Sequence, residues 1–174
     1  MVHSEFPVER LVQLASNQFQ MGFARQAMRV LHPSDRIAFE ATGEGLLMRA
    51  QNEDALDQPL TLLCDLYGDD LKLLPPQVRC MNIDGRIYEP VMLLRVRTEP
   101  RHLDAVRSNL TARKLKLLEE HVHPSVCVLR AEGPLRNLLG YGEALATLSE
   151  DKALHWIWLD RYVPLDDPPG GQAA

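Results

Sequence analysis

Cysteine is scarce in this chain: Cys64, Cys80 and Cys127 are the three among 174 residues. They are too few and too scattered for a disulfide framework, and no two stand at C-x-x-C spacing. Long apolar runs are missing too; none approaches the ~20 residues that cross a bilayer, so no membrane association is expected. The opening residues carry an acid and no apolar stretch, which does not read as a signal peptide. No G-x-x-x-x-G-K-[ST] phosphate cradle, G-x-S-x-G elbow or H-E-x-x-H helix occurs. Nor is there an excess of positive charge. Nineteen Lys and Arg against 24 Asp and Glu leave a net charge of −5, which argues against wholesale capture by DNA or an anionic membrane while leaving room for a local basic face. The expectation is a cytoplasmic protein without a cofactor, and not an enzyme.

What is present is ordinary globular composition, 45% hydrophobic and 25% charged. The length suits one medium domain or two small ones that lean on each other. Residues 8–30 show helical spacing, with Val8, Leu11, Val12, Ala15, Phe19, Phe23, Ala27 and Val30 on one stripe. Gly22 divides that stripe, and His32-Pro33 ends it. A hairpin follows, residues 36–41 and 46–50 around Thr42-Gly43-Glu44-Gly45. As a turn between strands, Gly43-Glu44-Gly45 reads as a hairpin rather than a nucleotide loop. Asn52 with Glu53 and Asp54 predicts a helix start. The helix runs through Leu56, Leu60, Leu63 and Tyr67 to Gly68, with Pro59 marking its first turn. A short strand is expected near residues 70–74, followed by the segment Pro75-Pro76-Gln77-Val78-Arg79-Cys80-Met81. The first half is thus α-β-β-α-β, one leading strand short of a familiar order.

The second half has that order complete. A turn at Asn82-Ile83-Asp84-Gly85 leads to a strand over 86–98, then a helix with Leu103, Val106 and Leu110 on one face. Strands near 115–121 and 126–132 flank the breaker His123-Pro124-Ser125. A helical stretch through Leu138, Leu139, Leu145 and Leu148 precedes a last strand over 153–162. This β-α-β-β-α-β pattern is the split βαβ arrangement. The predicted fold class is α+β: two ferredoxin-like domains in tandem, residues 1–81 and 82–165, with antiparallel sheets and helices on one face of each. Residues 166–174 are expected to be a mobile tail.

Strand parity picks out a candidate surface. Met92, Leu94 and Val96 alternate with Arg95 and Arg97. If the apolar set faces the helices, the arginines lie on the open face. By the same parity Arg130 points outward from its strand, and Leu154, Trp156 and Trp158 point outward from the last one. In the strand order 4-1-3-2 these residues are neighbours, able to stack bases and pair phosphates. Residues 95–136 hold nine Lys and Arg against five Asp and Glu; Arg107, Arg113, Lys114 and Lys116 are further basic candidates. Packing of this face against the first half, with arginine stems over indole rings, outweighs direct RNA contact in this reading. The RNA-recognition-motif consensus is not present. His121 and His123, with Cys127, form the nearest approach to a metal cluster, outweighed by a solvated loop edge. His121, His123 and Glu120 are the residues an enzyme site would use, but they form no base–nucleophile pair at recognisable spacing.

Several pieces of the second half occur together in order: Glu89-Pro90-Val91-Met92, Leu110-x-x-Arg113, Ala131-x-x-Pro134-Leu135, Gly140-Tyr141, Leu145, Lys152-Ala153 and Tyr162-x-Pro164. Over roughly residues 87–165 the chain resembles the C-terminal, fifth domain of translation elongation factor G. Through Gly43-Glu44 and Pro76-Gln77-Val78, roughly residues 5–81 are similar, more weakly, to its third domain. Counterparts of its GTPase, second and fourth domains do not occur in this sequence. Two segments depart from the family: Arg113-Lys114-Leu115 stands in place of R-R-G, and Ser149-Glu150-Asp151-Lys152 in place of T-Q-G-R. The resemblance implies ferredoxin-like domains and a non-catalytic binding protein that engages the ribosome or a translational GTPase. The alternative is a protein-interaction or small-ligand sensor module, a homodimer among its forms, that has kept the fold and not the ribosome.

Overall fold

The computed structural model describes residues 6–16 and 18–165; the expected tail over 166–174 lies outside them. The first half opens with a strand. Strand β1 (Val8–Leu14) is followed by α1 (Gln20–Ala27), the hairpin β2 (Ile37–Thr42) and β3 (Gly45–Ala50), α2 (Asp54–Tyr67) and β4 (Leu71–Leu73). The sheet order is β2-β3-β1-β4, with β1 in the interior. Short β5 (Gln77–Val78) also pairs with β1, beyond β4 on the same side. Pro75 and Pro76 lie between β4 and β5, where two missing N–H groups interrupt the ladder.

The continuous helical stripe expected over residues 8–30 is therefore corrected. Val8 and Val12 are fully buried, whereas Phe19 is 79% exposed. A separation of four residues fits both a helix face and a strand face, because four is two strand periods and close to one helical turn. Those two valines could not distinguish the alternatives. With β1 in place the half has the complete β-α-β-β-α-β order. Phe23, Ala24 and Ala27 of α1 and Leu56, Leu60 and Leu63 of α2 are buried with Val8, Val12, Leu46, Met48 and Ala50 of the sheet.

The hairpin forms as expected, with Thr42 opposite Gly45 and a two-residue loop between them. Thr42 Oγ1 donates to the Gly45 carbonyl at 2.9 Å and accepts the Glu44 N–H at 3.2 Å. Gly45 is required here. Its φ is +143°, and a Cβ would sit 2.3 Å from the Val12 carbonyl oxygen. Helix α2 begins earlier than Pro59: Asn52 Oδ1 accepts the Ala55 N–H at 3.0 Å, and Pro59 lies within the helix. Gly68, with φ of 55°, ends it.

In the second half, β6 (Met81–Ile83) and β7 (Arg86–Thr98) form a hairpin across Asp84-Gly85, both with positive φ as a two-residue turn favours. Then come α3 (Leu103–Ala112), β8 (Lys116–Val122), β9 (Cys127–Pro134), α4 (Leu135–Leu138), α5 (Tyr141–Leu148) and β10 (Leu154–Pro164). The stretch expected as one helix near Leu138 is two pieces, broken at Gly140 in the left-handed region. The sheet order is β10-β7-β9-β8, the 4-1-3-2 arrangement read from the sequence. Met92, Leu94 and Val96 meet Leu103, Val106 and Leu110 of α3 and Leu145 of α5 in the core. Both halves are ferredoxin-like units of an α+β chain. Among the described residues no helix is long and apolar enough to cross a membrane.

The halves are joined by three consecutive residues before and at the start of α2. Asn52 Nδ2 donates to the Ile157 carbonyl at 2.9 Å. Glu53 Oε2 accepts the Gly140 N–H at 2.8 Å. Asp54 contacts His155 Nε2 at 3.1 Å. All three meet β10 or the entry to α5, so the first half abuts one edge of the second sheet. On its open face Arg95, Arg97, Leu154, Trp156 and Trp158 are exposed.

Candidate functional site

The register of the second sheet arranges the open face in rows. Trp156 of β10 stands opposite Arg95 of β7, Arg95 opposite Arg130 of β9, and Arg130 opposite Glu119 of β8. One step along, Leu154 faces Arg97, Arg97 faces Val128, and Val128 faces His121. In the other direction Trp158 faces Leu93, which faces Glu132. Strand alternation places these side chains opposite the buried Leu94, Val96, Cys127 and Leu129.

The five residues expected on this face are therefore brought together: Arg95, Arg97, Arg130, Trp156 and Trp158. The indoles are exposed, Trp156 by 45% and Trp158 by 39%. The expectation that the face packs against the first half is corrected. That half is held at the β10 edge through Ile157 and His155, whose side chains have the other strand parity. The Arg95 guanidinium lies over the Trp156 ring, 5.5 Å from its centre, a cation–π pair. Arg130 pairs with Glu119 at 3.2 Å. Glu132 receives Arg161 at 3.2 Å and Lys116 at 3.8 Å. Arg97 makes no ion pair among the described residues, so the positive charge at the Leu154 end of the face is the least compensated.

The other basic candidates separate. Lys116 reaches the open face through Glu132. Arg107 lies on α3, paired with Glu120 and with Asp104, which raises its already high pKa chiefly through the Glu120 contact. Arg113 is structural: it donates to the Asn137 and Leu139 carbonyls at 3.0 and 3.1 Å and covers the Tyr141 ring at 5.5 Å. Lys114 takes a positive φ of 57° in the turn after α3.

His121, His123 and Cys127 do not converge. Cys127 is buried beneath the helices, His121 is exposed on the open face, and His123 contacts Ser125 at 3.0 Å. Among the described residues no group of three such ligands could hold a metal ion. Glu120 is turned to Arg107 and away from His121.

One feature escaped the sequence reading, and one segment that it named takes an unexpected backbone conformation. The bridge from Asn52, Glu53 and Asp54 to Ile157, Gly140 and His155 spans 87 to 105 positions, far outside any periodicity; only the cap-like composition hinted that these residues carry a task. That segment is the loop after α5. Glu150 and Asp151 both have positive φ, 52° and 61°, where the resembled family has a glycine. Hydrogen bonds from the Asp151 N–H to Ala146 and from the Lys152 N–H to Ser149, with an Arg101–Glu150 ion pair at 3.2 Å, hold that conformation.

Comparison with known proteins agrees with this architecture. The family model described as the elongation factor G C-terminus matches residues 86–171. Ribosome-releasing factor 2, mitochondrial, of Danio rerio is 30% identical over 93 residues, which are 51% of this chain and 12% of that protein. This chain thus matches about an eighth of that relative's length. The solved structure of ttk003000868 from Thermus thermophilus superposes with a TM-score of 0.65 at 14% identity, covering 97% of this chain and 42% of that one. At that identity the likeness is one of fold, and it extends over both halves. The second half of the chain, with its open sheet face, resembles the C-terminal domain of elongation factor G.

Proposed function

We infer that this chain is a non-catalytic binding protein that engages the ribosome, or a translational GTPase bound there, through the open face of its second sheet. One observation carries the reading: two exposed tryptophans stand beside Arg95, Arg97 and Arg130 on the open face of one sheet. Flat indoles and guanidinium planes can stack on nucleobases, and guanidinium groups can pair with phosphates. The named activity of the Danio rerio relative supports a ribosomal setting. The residues point to binding rather than turnover, because the histidines, cysteine and carboxylates of the second half are dispersed or already paired.

Sedimentation with ribosomes at physiological salt tests it. Wild type is expected in the ribosome pellet, and Arg95→Ala with Arg97→Ala in the supernatant. A wild type that stays in the supernatant, or a double variant that pellets equally well, overturns the proposal.

A second reading follows from the apolar content of the same sheet. Leu154, Trp156 and Trp158 at one side and Leu117, Leu118 and Val122 on the free edge strand β8 are all exposed, as in faces that bind other proteins. If the surface instead closes a homodimer, light scattering finds twice the chain mass for wild type and a monomer for Trp158→Glu.

A further inference from the structure

We propose that the outer edge of β2 pairs with the β2 edge of a second copy of this chain, antiparallel across a two-fold axis, so that the two first-half sheets become one. The inference uses the first half alone and does not rest on the ribosomal reading. It begins from how the molecule treats its sheet edges. An open edge presents unpaired N–H and C=O groups, and proteins blunt it with proline, lysine, bulges, short strands or a covering element. The β4–β5 edge carries Pro75 and Pro76. Strand β6 has three residues. Strand β8 carries Lys116 and a register shift between Leu117 and Glu119. Strand β10 has a shift between Leu159 and Arg161, and the first half touches it at His155 and Ile157. Strand β2 has none of these devices. Its six residues pair with β3 in unbroken register, they include no proline or lysine, and no described strand lies beyond it.

The hydrogen-bonding parity says which groups are free. The Gln51 N–H donates to the Arg36 carbonyl at 3.0 Å, and Thr42 and Gly45 close the two-residue loop. Arg36, Ala38, Glu40 and Thr42 therefore direct their backbone groups to β3, and Ile37, Phe39 and Ala41 direct theirs outward. The Ile37 carbonyl is occupied by the Ser34 N–H at 2.9 Å. Phe39 and Ala41 remain, with one donor and one acceptor each.

These four groups and the charges around them fit a second copy. Setting Phe39 opposite Ala41 of the other chain lets each pair exchange two hydrogen bonds, four in all, with a large side chain against a small one on the half-buried side. The same register brings Arg36, at the start of the edge, to Glu44 of the second copy at its end. Both are exposed, and neither makes an ion pair among the described residues. A base at one end and an acid at the other match an antiparallel copy twice over, as an isologous interface requires. Ile37, beside the Ser34 turn, falls opposite Gly43, which has no side chain to obstruct it. At the centre Glu40 meets Glu40 of the second copy, and each is held by its own Arg49 at 2.8 Å, so the charges alternate in sign.

The test is the molar mass of the full chain in solution, by sedimentation equilibrium over a range of concentrations. Wild type is expected to reach twice the chain mass. Ala41→Pro removes one outward N–H from each copy, on an edge where the fold tolerates proline, and should weaken the dimer about ten-fold or more, two lost hydrogen bonds. Arg36→Glu and Glu44→Arg each set like charges together at both ends, so either variant alone should stay monomeric at concentrations where wild type pairs. Mixed in equal amounts they become complementary and should form a heterodimer. Trp158→Glu lies on the other sheet and should leave the dimer intact. If Ala41→Pro fails to fold, the charge-reversed mixture decides. A monomeric wild type overturns the proposal, as does a mixture that pairs no better than its components. A dimer lost in Trp158→Glu and kept in Ala41→Pro assigns the contact to the open face of the second sheet instead, and also overturns it.

Discussion

Tyr141 and Arg136 show how individual side chains near α4 and α5 divide packing from charge. Tyr141 is fully buried, its ring capped by Arg113, and its hydroxyl has no hydrogen-bond partner among the described residues. Burial pushes its pKa well above the usual tyrosine value, with the nearby Arg113 opposing. The phenol therefore stays neutral, and its oxygen contributes a desolvation cost with no bond in return. Tyr141→Phe keeps the ring and removes that cost, so the unfolding free energy should rise by about 1 kcal/mol; a loss in urea unfolding would show that the hydroxyl is satisfied after all. Glu89 is the opposite case, a carboxylate only 8% exposed and paired with the half-exposed guanidinium of Arg136. Removing the guanidinium strands the buried charge. Arg136→Ala should cost about 1–3 kcal/mol, and adding Glu89→Gln should recover part of it. Equal unfolding midpoints for the single and double variants would count against the pairing as the cause.

At the scale of elements, the start of α2 titrates together with the strand it touches. His155 has a raised pKa, chiefly because Asp54 accepts a hydrogen bond from its ring, and nearby Asp57 and Glu53 add to this. Glu53 is raised by burial, against the opposing Gly140 N–H bond. Both groups bind protons more tightly in the folded chain than in the unfolded one. The histidine's contribution is fully present below its unfolded pKa, about 6.5, and is lost as pH rises through the higher folded value. The glutamate's shift has the same sign, acting from about 4.5 upward. Acidification from pH 8 toward 5.5 should therefore stabilise wild type relative to His155→Gln, read as diverging denaturant midpoints. A difference that stays constant across that range would rule out the titration. None of this junction was legible in the sequence, because the groups that shift one another's pKa are brought together only by tertiary packing. The helices and hairpins that carry them were legible through local chemistry: Asn52 ahead of α2, Gly68 behind it, Thr42 and Gly45 around the first turn. Strand β1 was not, since Val8 and Val12 satisfy two periods at once.

On the scale of the molecule, the arrangement of the two units decides what is open to a partner. Alternation along β7, β9 and β10 told correctly which side chains share a face. It could not tell what covers that face, because coverage depends on where the first half docks. The expected burial of Trp156 and Trp158 against that half failed for this reason: the contact goes through the opposite parity of β10, at His155 and Ile157. That placement also links the two cores. Buried side chains of both sheets form one continuous apolar cluster, from Val8 and Leu46 to Leu129 and Leu145, reinforced by the Asn52, Glu53 and Asp54 contacts. Two units sharing a core should unfold together. The chain offers a direct measurement, because its two tryptophans both lie in β10, while far-ultraviolet circular dichroism reads all the helices. In wild type, indole fluorescence and circular dichroism should trace one denaturant transition with the same midpoint. Asn52→Ala combined with Asp54→Asn cuts two of the cross-contacts and should pull the curves apart. Curves already separate in wild type would mean that each half folds on its own core, and that the open sheet face owes its exposure to a joint free to move.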